Sequence, residues 1–145
     1  MSKPKKVHEP KGEHATPGGE LSTRTLAMPG DANPNGDIFG GWVLSQMDIA
    51  GAISANNIAG RTVTVSMDGL SFIEPVMVGD VVCCYTKLLK TGRTSITLKI
   101  ETWTVRKMEE IRRKVTEGIF TYVCIDENRR PKPLPESYQN LSESL

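Results

Sequence analysis

A single charged residue interrupts a long uncharged stretch near the middle of the chain. Between Asp37 and Arg61, only Asp48 carries a charge. The residues around it are mostly apolar or small, and their spacing predicts a helix from Gly40 to about Ala59. A carboxylate on a mostly buried helix costs free energy unless a hydrogen bond or an opposite charge compensates it. Asp48 is therefore either a structural residue bonded to its surroundings or a residue that does chemistry.

The predicted helix is apolar on nearly every side, which indicates burial on most of its faces. Its apolar positions are Trp42, Val43, Leu44, Met47, Ile49, Ala50, Ala52, Ile53, Ala55 and Ile58. Gly51 and its alanine neighbours are small enough for another element to pack closely against the helix. Gly60 is the residue type that commonly ends a helix.

A dense cluster of turn-forming residues precedes the helix, over residues 28–37. Its prolines, glycines and asparagines are Pro29, Gly30, Asn33, Pro34, Asn35 and Gly36. Such a composition predicts a specific loop rather than a flexible linker. Asp37, at the end of the cluster, is a residue type that can cap the helix that follows.

On both sides of the helix the apolar residues alternate, which is the pattern of strands. Strands are predicted at 21–28, 62–67, 80–90, 93–107 and 114–126, with the second continuing through Leu70 and Phe72. The resulting order is β-α-β-β-β-β. A roughly five-stranded antiparallel sheet wrapped round one long central helix is the hotdog architecture, of the α+β class. Because one helix covers only one sheet face and the sheet has open edges, we expect a homo-oligomer, at least a dimer.

The chain divides into one domain and two polar ends. Its 145 residues are enough for a single core, which we place at residues 21–127. Residues 1–20 are rich in Lys, Glu, Pro and Gly, and we expect them to be disordered. Residues 128–145 form a C-terminal tail with little to bury.

The composition argues against several classes of function. A net charge of +1 gives no support for a nucleic-acid partner, which favours a strongly basic patch. The uncharged runs on either side of Asp48, residues 38–47 and 49–60, are each too short for a membrane span. The N-terminal residues lack the apolar segment of a secretory signal.

The metal-binding residue types are few and badly placed for a core site. Both histidines, His8 and His14, lie in the N-terminal segment, and the three cysteines form no C-x-x-C pair. We therefore expect no metal and no cofactor. An odd number of cysteines without a secretory signal is typical of a reduced, cytoplasmic protein.

Three segments together resemble the bacterial hotdog acyl-CoA thioesterases of the YciA type and the related eukaryotic cytosolic acyl-CoA hydrolases. They are LAMPGDANPNGDIFGGWVLSQMDIAGA at 26–52, VTVSMDGLSFIEPVMVGDVVCCY at 63–85 and KTGRTSI at 90–96. The likeness covers roughly residues 21–127, and the run NGDIFGGW followed by QMD is its most specific part. It implies hydrolysis of acyl-CoA to a carboxylic acid and coenzyme A.

The resemblance also assigns roles to residues of this chain. Asp48 matches the family's catalytic carboxylate, and Asn33 resembles the polar loop residue that faces the thioester. In hotdog dimers these two positions come from opposite subunits. The turn that resembles the coenzyme A contact segment contains Lys90, Gly92, Arg93, Thr94 and Ser95. Related proteins form trimers of dimers, so the resemblance implies a hexamer.

The residue inventory is consistent with carboxylate chemistry. Because both histidines lie in the N-terminal segment, neither a Ser-His-Asp triad nor a Cys-His pair is supported. Asp48 remains, either as a general base toward water or as a nucleophile that attacks the carbonyl directly. The sequence leaves both roles open.

The negative charge that develops on a thioester carbonyl needs hydrogen-bond donors. Gly40 and Gly41 open the predicted helix, where backbone N–H groups are unpaired and the helix dipole favours a negative charge. We predict that one of these N–H groups polarises the carbonyl. The alternative is that the glycines only relieve crowding at the start of the helix.

Two alternatives remain open at this stage. Lys90 and Arg93 suit the phosphates of coenzyme A, but without the resemblance these residues favour an ordinary solvated turn. The hydrolase assignment also competes with a non-catalytic hotdog module that binds acyl-CoA and regulates a partner.

Overall fold

The computed structural model describes residues 16–106, 109 and 111–142. Its strands and helix are β1 (Glu20–Leu26), α1 (Gly40–Ala59), β2 (Thr62–Asp68), β3 (Val81–Thr91), β4 (Ser95–Val105) and β5 (Arg112–Cys124). One-turn 3-10 helices lie at Pro29–Asp31 and Glu136–Tyr138. The predicted order β-α-β-β-β-β is confirmed, and so are both ends of the predicted helix.

The five strands form one antiparallel sheet in the order β1-β3-β4-β5-β2. The long strands β3, β4 and β5 lie in the middle, and the short strands β1 and β2 are its edges. In the register of the sheet, Tyr122 lies between Thr64 on β2 and Ile96 on β4. The β2–β5 pairing shifts between Thr64 and Ser66, where β2 carries an irregularity of the bulge type.

Helix α1 packs along one face of the sheet and covers the core. Its buried residues are Val43, Met47, Ala50, Gly51 and Ala55. They face the alternate residues of β4 and β5 that point to the same side, including Ile96, Leu98, Ile100, Phe120 and Tyr122. This arrangement is the α+β hotdog architecture expected from the sequence.

The expectation that the helix is buried on most faces is wrong for a single chain. Ile49 and Ile53 are 49% and 44% exposed, and they lie on the side of the helix that the sheet does not cover. Edge strand β2 adds Val65 and Met67, which are 54% and 36% exposed. An apolar surface therefore remains open beside the unpaired edge of the sheet.

Two predictions about the ends of elements are wrong. Asp37 does not cap the helix, because the capping position is occupied by Phe39, two residues later. The Phe39 side chain makes no capping hydrogen bond. Strand β2 ends at Asp68 and does not continue to Phe72. Gly69 follows with φ +73°, a left-handed conformation that turns the chain out of the sheet.

The described residues near both ends of the chain pack against the rest of the domain. Residues 1–15 of the expected N-terminal tail lie outside the described residues. The Gly18 N–H, which belongs to the same expected tail, donates to Glu101 Oε1 at 3.2 Å. At the other end, Leu134 is only 2% exposed and belongs to the core cluster. The expectation that the C-terminal segment buries little is therefore wrong at this residue.

Among the described residues, no helix is long and apolar enough to cross a membrane.

Candidate active site

Asp48 lies in the middle of α1, at the border between its packed side and its open side, and is half-buried. Its Oδ1 accepts hydrogen bonds from Thr64 Oγ1 at 2.7 Å and from Tyr122 Oη at 3.0 Å. No described residue donates a hydrogen bond to the second oxygen, Oδ2. The protein thus holds the carboxylate through Oδ1, and Oδ2 is available to a ligand.

The two donors converge because of the strand register. Thr64 and Tyr122 are directly opposite each other in the antiparallel pair formed by β2 and β5. Residues opposite each other point to the same face of a sheet, and here that face is the one covered by α1. Since a shift of one residue would turn Thr64 to the other face, the site depends on this register.

Gly51 provides the space that Tyr122 occupies. A Cβ atom added at Gly51 would lie 2.0 Å from Tyr122 Oη and 2.7 Å from Ile100 Cδ1. Gly51 lies three residues after Asp48, about one helical turn further on the same side. The close packing that its size suggested is therefore the approach of the tyrosine that contacts Asp48.

Tyr122 is buried and keeps its proton. Its side chain is 0% exposed. Burial raises the pKa of Tyr122, and the neighbouring Asp48 carboxylate raises it further. The phenol is therefore a neutral hydrogen-bond donor across the pH range in which proteins work.

Asn33 organises the loop before the helix with its side-chain oxygen. Asn33 Oδ1 accepts from the N–H groups of Asn35 at 2.8 Å and Asp37 at 3.2 Å. The Asn33 N–H donates to Asp37 O at 2.7 Å and closes the loop. No described residue accepts a hydrogen bond from Asn33 Nδ2. The two N–H groups of Asn33 Nδ2 are therefore available to a ligand.

The start of α1 carries open backbone donors next to Asn33. Gly40 and Gly41 are the first two helical residues, and both are exposed. No described residue accepts a hydrogen bond from their N–H groups. A Cβ at Gly41 would meet nothing within 4 Å, so a ligand can approach this backbone closely.

A cavity of about 320 Å³ connects Asn33 and Gly40. Its apolar walls are Ile38, Val43, Phe72, Ile73, Pro75 and Val76. Asp48 is not among the residues that line it. The carboxylates of Asp37 and Glu74 also line the cavity. A pocket with an apolar wall and a few polar groups can orient a ligand group that has one polar and one apolar end.

A buried ion pair holds the loop that forms one wall of this cavity. Asp80 is 1% exposed, and its two oxygens accept from Arg106 Nε at 3.0 Å and Nη2 at 3.1 Å. Arg106 Nη2 also donates to the Pro75 carbonyl at 3.3 Å. A bidentate ion pair of this kind fixes the relative orientation of the guanidinium and the carboxylate as well as the distance between them. Pro75 and Val76 therefore keep a defined position beside the helix start.

One chain does not bring Asp48 and the helix-start amides together. Seven residues separate Gly41 from Asp48 in α1, which corresponds to about 10 Å along the helix axis. A base and an oxyanion donor that act on one carbonyl must each lie about 3 Å from their targets. The predicted catalytic residues Asp48, Asn33, Gly40 and Gly41 thus form two separate groups in the single chain.

The predicted coenzyme A turn lies at the other end of the sheet, where α1 ends. The Cys124 N–H donates to Thr94 O at 2.9 Å, while Cys124 Sγ donates to Ala59 O at 3.6 Å. The side chains of Lys90 and Arg93 are exposed. The structure therefore separates this turn from Asn33 and Gly40 by the length of the helix.

The C-terminal segment packs against the backbone of this turn. The Leu134 N–H donates to Arg93 O at 2.8 Å, and the Asn140 N–H donates to Gly92 O at 3.2 Å. Within the turn, the Gly92 N–H donates to Ser95 O at 2.9 Å. These bonds occupy much of the backbone, so the turn presents mainly its side chains to a ligand.

Sequence reasoning missed Thr64 and Tyr122. Both lie in ordinary alternating strand patterns, where a hydroxyl that faces the core has no distinctive signal. The only available sign was indirect, namely a glycine inside an otherwise good helix.

Replacing Gly51 by Ala should lower the stability of the protein, although the same change stabilises most helices. The added methyl group overlaps Tyr122 Oη and Ile100 Cδ1, and overpacking of this kind costs about 1 to 3 kcal/mol. Urea denaturation measures the effect. Gly41→Ala is the matched control in the same helix, and its stability should stay within about 1 kcal/mol. Equal stability of both variants would contradict the observed packing.

Comparisons with known proteins agree with this architecture. Residues 35–111 match the model of the Thioesterase superfamily. The chain is 56% identical over 124 residues to the acyl-CoA thioester hydrolase YciA of Salmonella typhimurium, covering 83% of this chain and 93% of that protein. The structure of a hexameric thioesterase from Yersinia pestis superposes with a TM-score of 0.80 at 56% identity, covering 83% of this chain and 99% of the other. That of the hexameric broad-specificity acyl-coenzyme A thioesterase HI0827 gives 0.79 at 52% identity, covering 83% and 84%. By sequence and fold, the chain belongs to the Thioesterase superfamily.

Proposed function

We propose that this thioesterase hydrolyses acyl-CoA to a carboxylic acid and coenzyme A, with Asp48 as the catalytic carboxylate. The observation that carries the proposal is the hydrogen bonding of Asp48: two hydroxyls donate to its Oδ1, while no residue in the described part of the chain donates to Oδ2. The curated relatives at 52–56% identity are acyl-CoA thioester hydrolases, which supports this substrate class.

Oδ2 can react in two ways. As a general base it takes a proton from water, whose oxygen then attacks the thioester carbonyl and releases the coenzyme A thiolate. As a nucleophile it attacks the carbonyl itself, the C–S bond breaks and coenzyme A thiolate leaves, and water then hydrolyses the resulting anhydride to the carboxylic acid and free Asp48. A single turnover in ¹⁸O-water tests the second route, because label appears in Asp48 only if water hydrolyses an anhydride at the Asp48 carbonyl.

The oxyanion would be stabilised by the donors around the 320 Å³ cavity. Gly40 and Gly41 offer N–H groups at the positive end of the helix dipole, and Asn33 offers Nδ2. The apolar wall beside them suits the first carbons of an acyl chain. Asn33 and Gly40 both line this cavity, and Gly41 follows Gly40 directly in the helix.

The complete site would form between two chains. Because about 10 Å of helix separates Gly41 from Asp48 in one chain, Asp48 needs the helix start of a second copy. The exposed Ile49, Ile53 and Val65 border Asp48 and the open β2 edge, and they are the surface that such a copy would cover. Solved relatives are hexameric, which supports a trimer of dimers here.

Coenzyme A would be held by the turn from Lys90 to Ser95. The exposed Arg93 and Lys90 supply cations for its phosphates. The half-buried Thr94 and Ser95 supply hydroxyls, and Gly92 belongs to the same turn, whose shape its backbone bonds to Ser95 and Asn140 fix. We also place the protein in the cytoplasm, in agreement with its three buried, unpaired cysteines.

Asp48→Ala should remove hydrolysis while the protein still folds and binds coenzyme A. We expect kcat to fall by at least about 100-fold, since this is the usual contribution of a general base. Thiol release from short- to long-chain acyl-CoAs measures activity, and calorimetry measures coenzyme A binding. Asp68→Ala is the matched control, because this exposed Asp at the end of β2 should be dispensable. Near-normal turnover by Asp48→Ala would exclude Asp48 as the catalytic carboxylate, whereas no thiol release by the wild-type protein would favour the non-catalytic acyl-CoA-binding module.

Mixed oligomers test whether the site is shared. Asp48→Ala and Asn33→Ala chains should each be nearly inactive alone, but after random pairing about a quarter of wild-type activity should return, since one site in each mixed dimer is intact. The two purified variants are unfolded together, refolded and assayed. If the mixture stays as inactive as its components, Asp48 and Asn33 do not act across subunits.

Arg93→Ala should raise KM for acyl-CoA about tenfold and leave kcat nearly unchanged, because a phosphate contact far from the thioester contributes binding only. Steady-state kinetics at low and high salt measure the effect, and the defect should shrink as salt screens the charge. Arg24→Ala, on the β1 edge strand, is the control. An unchanged KM in Arg93→Ala would exclude this residue from the coenzyme A site.

A further inference from the structure

The two hydrogen bonds to Asp48 differ in how firmly they are directed. The Thr64 hydroxyl rotates about its Cβ–Oγ bond and can turn its proton elsewhere. The Tyr122 ring is locked in the core, 0% exposed, between Thr64 and Ile96 of the neighbouring strands. Its Oη therefore has a fixed position relative to helix α1.

The Tyr122 proton has two possible acceptors, both on Asp48. The carboxylate Oδ1 is 3.0 Å away and the backbone carbonyl oxygen is 3.2 Å away. The shorter contact is to the charged acceptor, which binds a donor more strongly than a neutral carbonyl does. The tyrosine thus contacts the side chain and the backbone of one residue and restricts both.

Gly51 makes this contact possible. With a Cβ only 2.0 Å from Oη, any other residue at position 51 would push the ring or the helix away. The helix accepts the weaker helix-forming residue, at a cost of about 1 kcal/mol relative to Ala. Glycine at position 51 therefore allows Tyr122 to reach Asp48, and the helix is less stable than it would be with alanine there.

We infer that Tyr122 is a positioning residue that holds Asp48 by Oδ1 and directs Oδ2 toward the thioester. Gly51 supplies the clearance that lets the phenol reach the carboxylate. The inference rests on the proposed function, because it assigns Tyr122 a role through Asp48 and not through the substrate. It also makes Oδ2 the reacting atom in either of the two chemical routes.

Tyr122→Phe tests this role. We expect kcat to fall about 10- to 100-fold with KM changed less than about twofold, because a loosened carboxylate is misplaced in the transition state but does not bind coenzyme A. The acidic limb of the plot of log(kcat/KM) against pH should move to higher pH, since the ionised carboxylate has lost a donor. Tyr85→Phe on β3 is the matched control and should change neither quantity. Wild-type kcat and pH profile in Tyr122→Phe would overturn the inference.

A double variant separates this inference from the proposed function. In an Asp48→Asn background, Tyr122→Phe should not lower the residual activity further, because Tyr122 acts only through the carboxylate. Independent, multiplying effects would overturn the positioning role. If Asp48→Ala remains active, the proposed catalytic role of Asp48 is refuted, and the inference about Tyr122 is refuted with it. If Asp48→Ala is inactive and Tyr122→Phe has wild-type kinetics, only the inference about Tyr122 is refuted.

A second replacement guards against a folding defect in Tyr122→Phe. Site-specific 3-fluorotyrosine at position 122 keeps the size and the hydroxyl but makes the phenol a stronger donor. The acidic limb should then move to lower pH, opposite to the effect of Phe. An unmoved limb in the folded fluorotyrosine protein would overturn the inference.

Discussion

The close packing of helix α1 against the sheet at Gly51 is the constraint on which the arrangement around Asp48 depends. At Gly51 the helix has no side chain, and Tyr122 of β5 fills that space. The phenol then reaches Asp48 one turn earlier, beside Thr64 of the neighbouring strand. The sheet register, the helix position and the carboxylate orientation are therefore coupled, because a change in one displaces the other two.

The same helix divides the site into two halves. Its first turn offers N–H groups that donate to no described residue, next to Asn33, and its middle carries Asp48. Since a helix rises only about 1.5 Å per residue, these halves stay about 10 Å apart in one chain. The open apolar surface beside Asp48 and the β2 edge gives a physical reason for a second copy to supply what one chain lacks.

Polar contacts outside the helix stabilise the segments that surround these halves. The Asp80–Arg106 pair anchors the wall of the cavity near Asn33. The C-terminal segment binds the backbone of the turn that contains Arg93 and buries Leu134 beneath it. Loops tied in this way keep their shape without a ligand, so they can present side chains in a fixed arrangement.

The sequence by itself determined the elements and singled out Asp48 as the candidate for the chemistry. Apolar spacing and flanking glycines predicted α1 from Gly40 to Ala59, and alternation predicted the five strands in their correct order. Asp48 was identified as the one charge in an uncharged stretch, and the surrounding motif indicated its family. These features are local, since each depends on residues within a few positions of one another.

Only the tertiary structure decided which residues meet. The pairing of Thr64 with Tyr122, and their convergence on one oxygen of Asp48, depend on a register between strands that are far apart in sequence. The end of β2 at Gly69 and the burial of Leu134 also depend on contacts with distant segments. A pattern of polar and apolar residues specifies the face on which a side chain lies, but not its partner across that face, because many registers satisfy the same alternation.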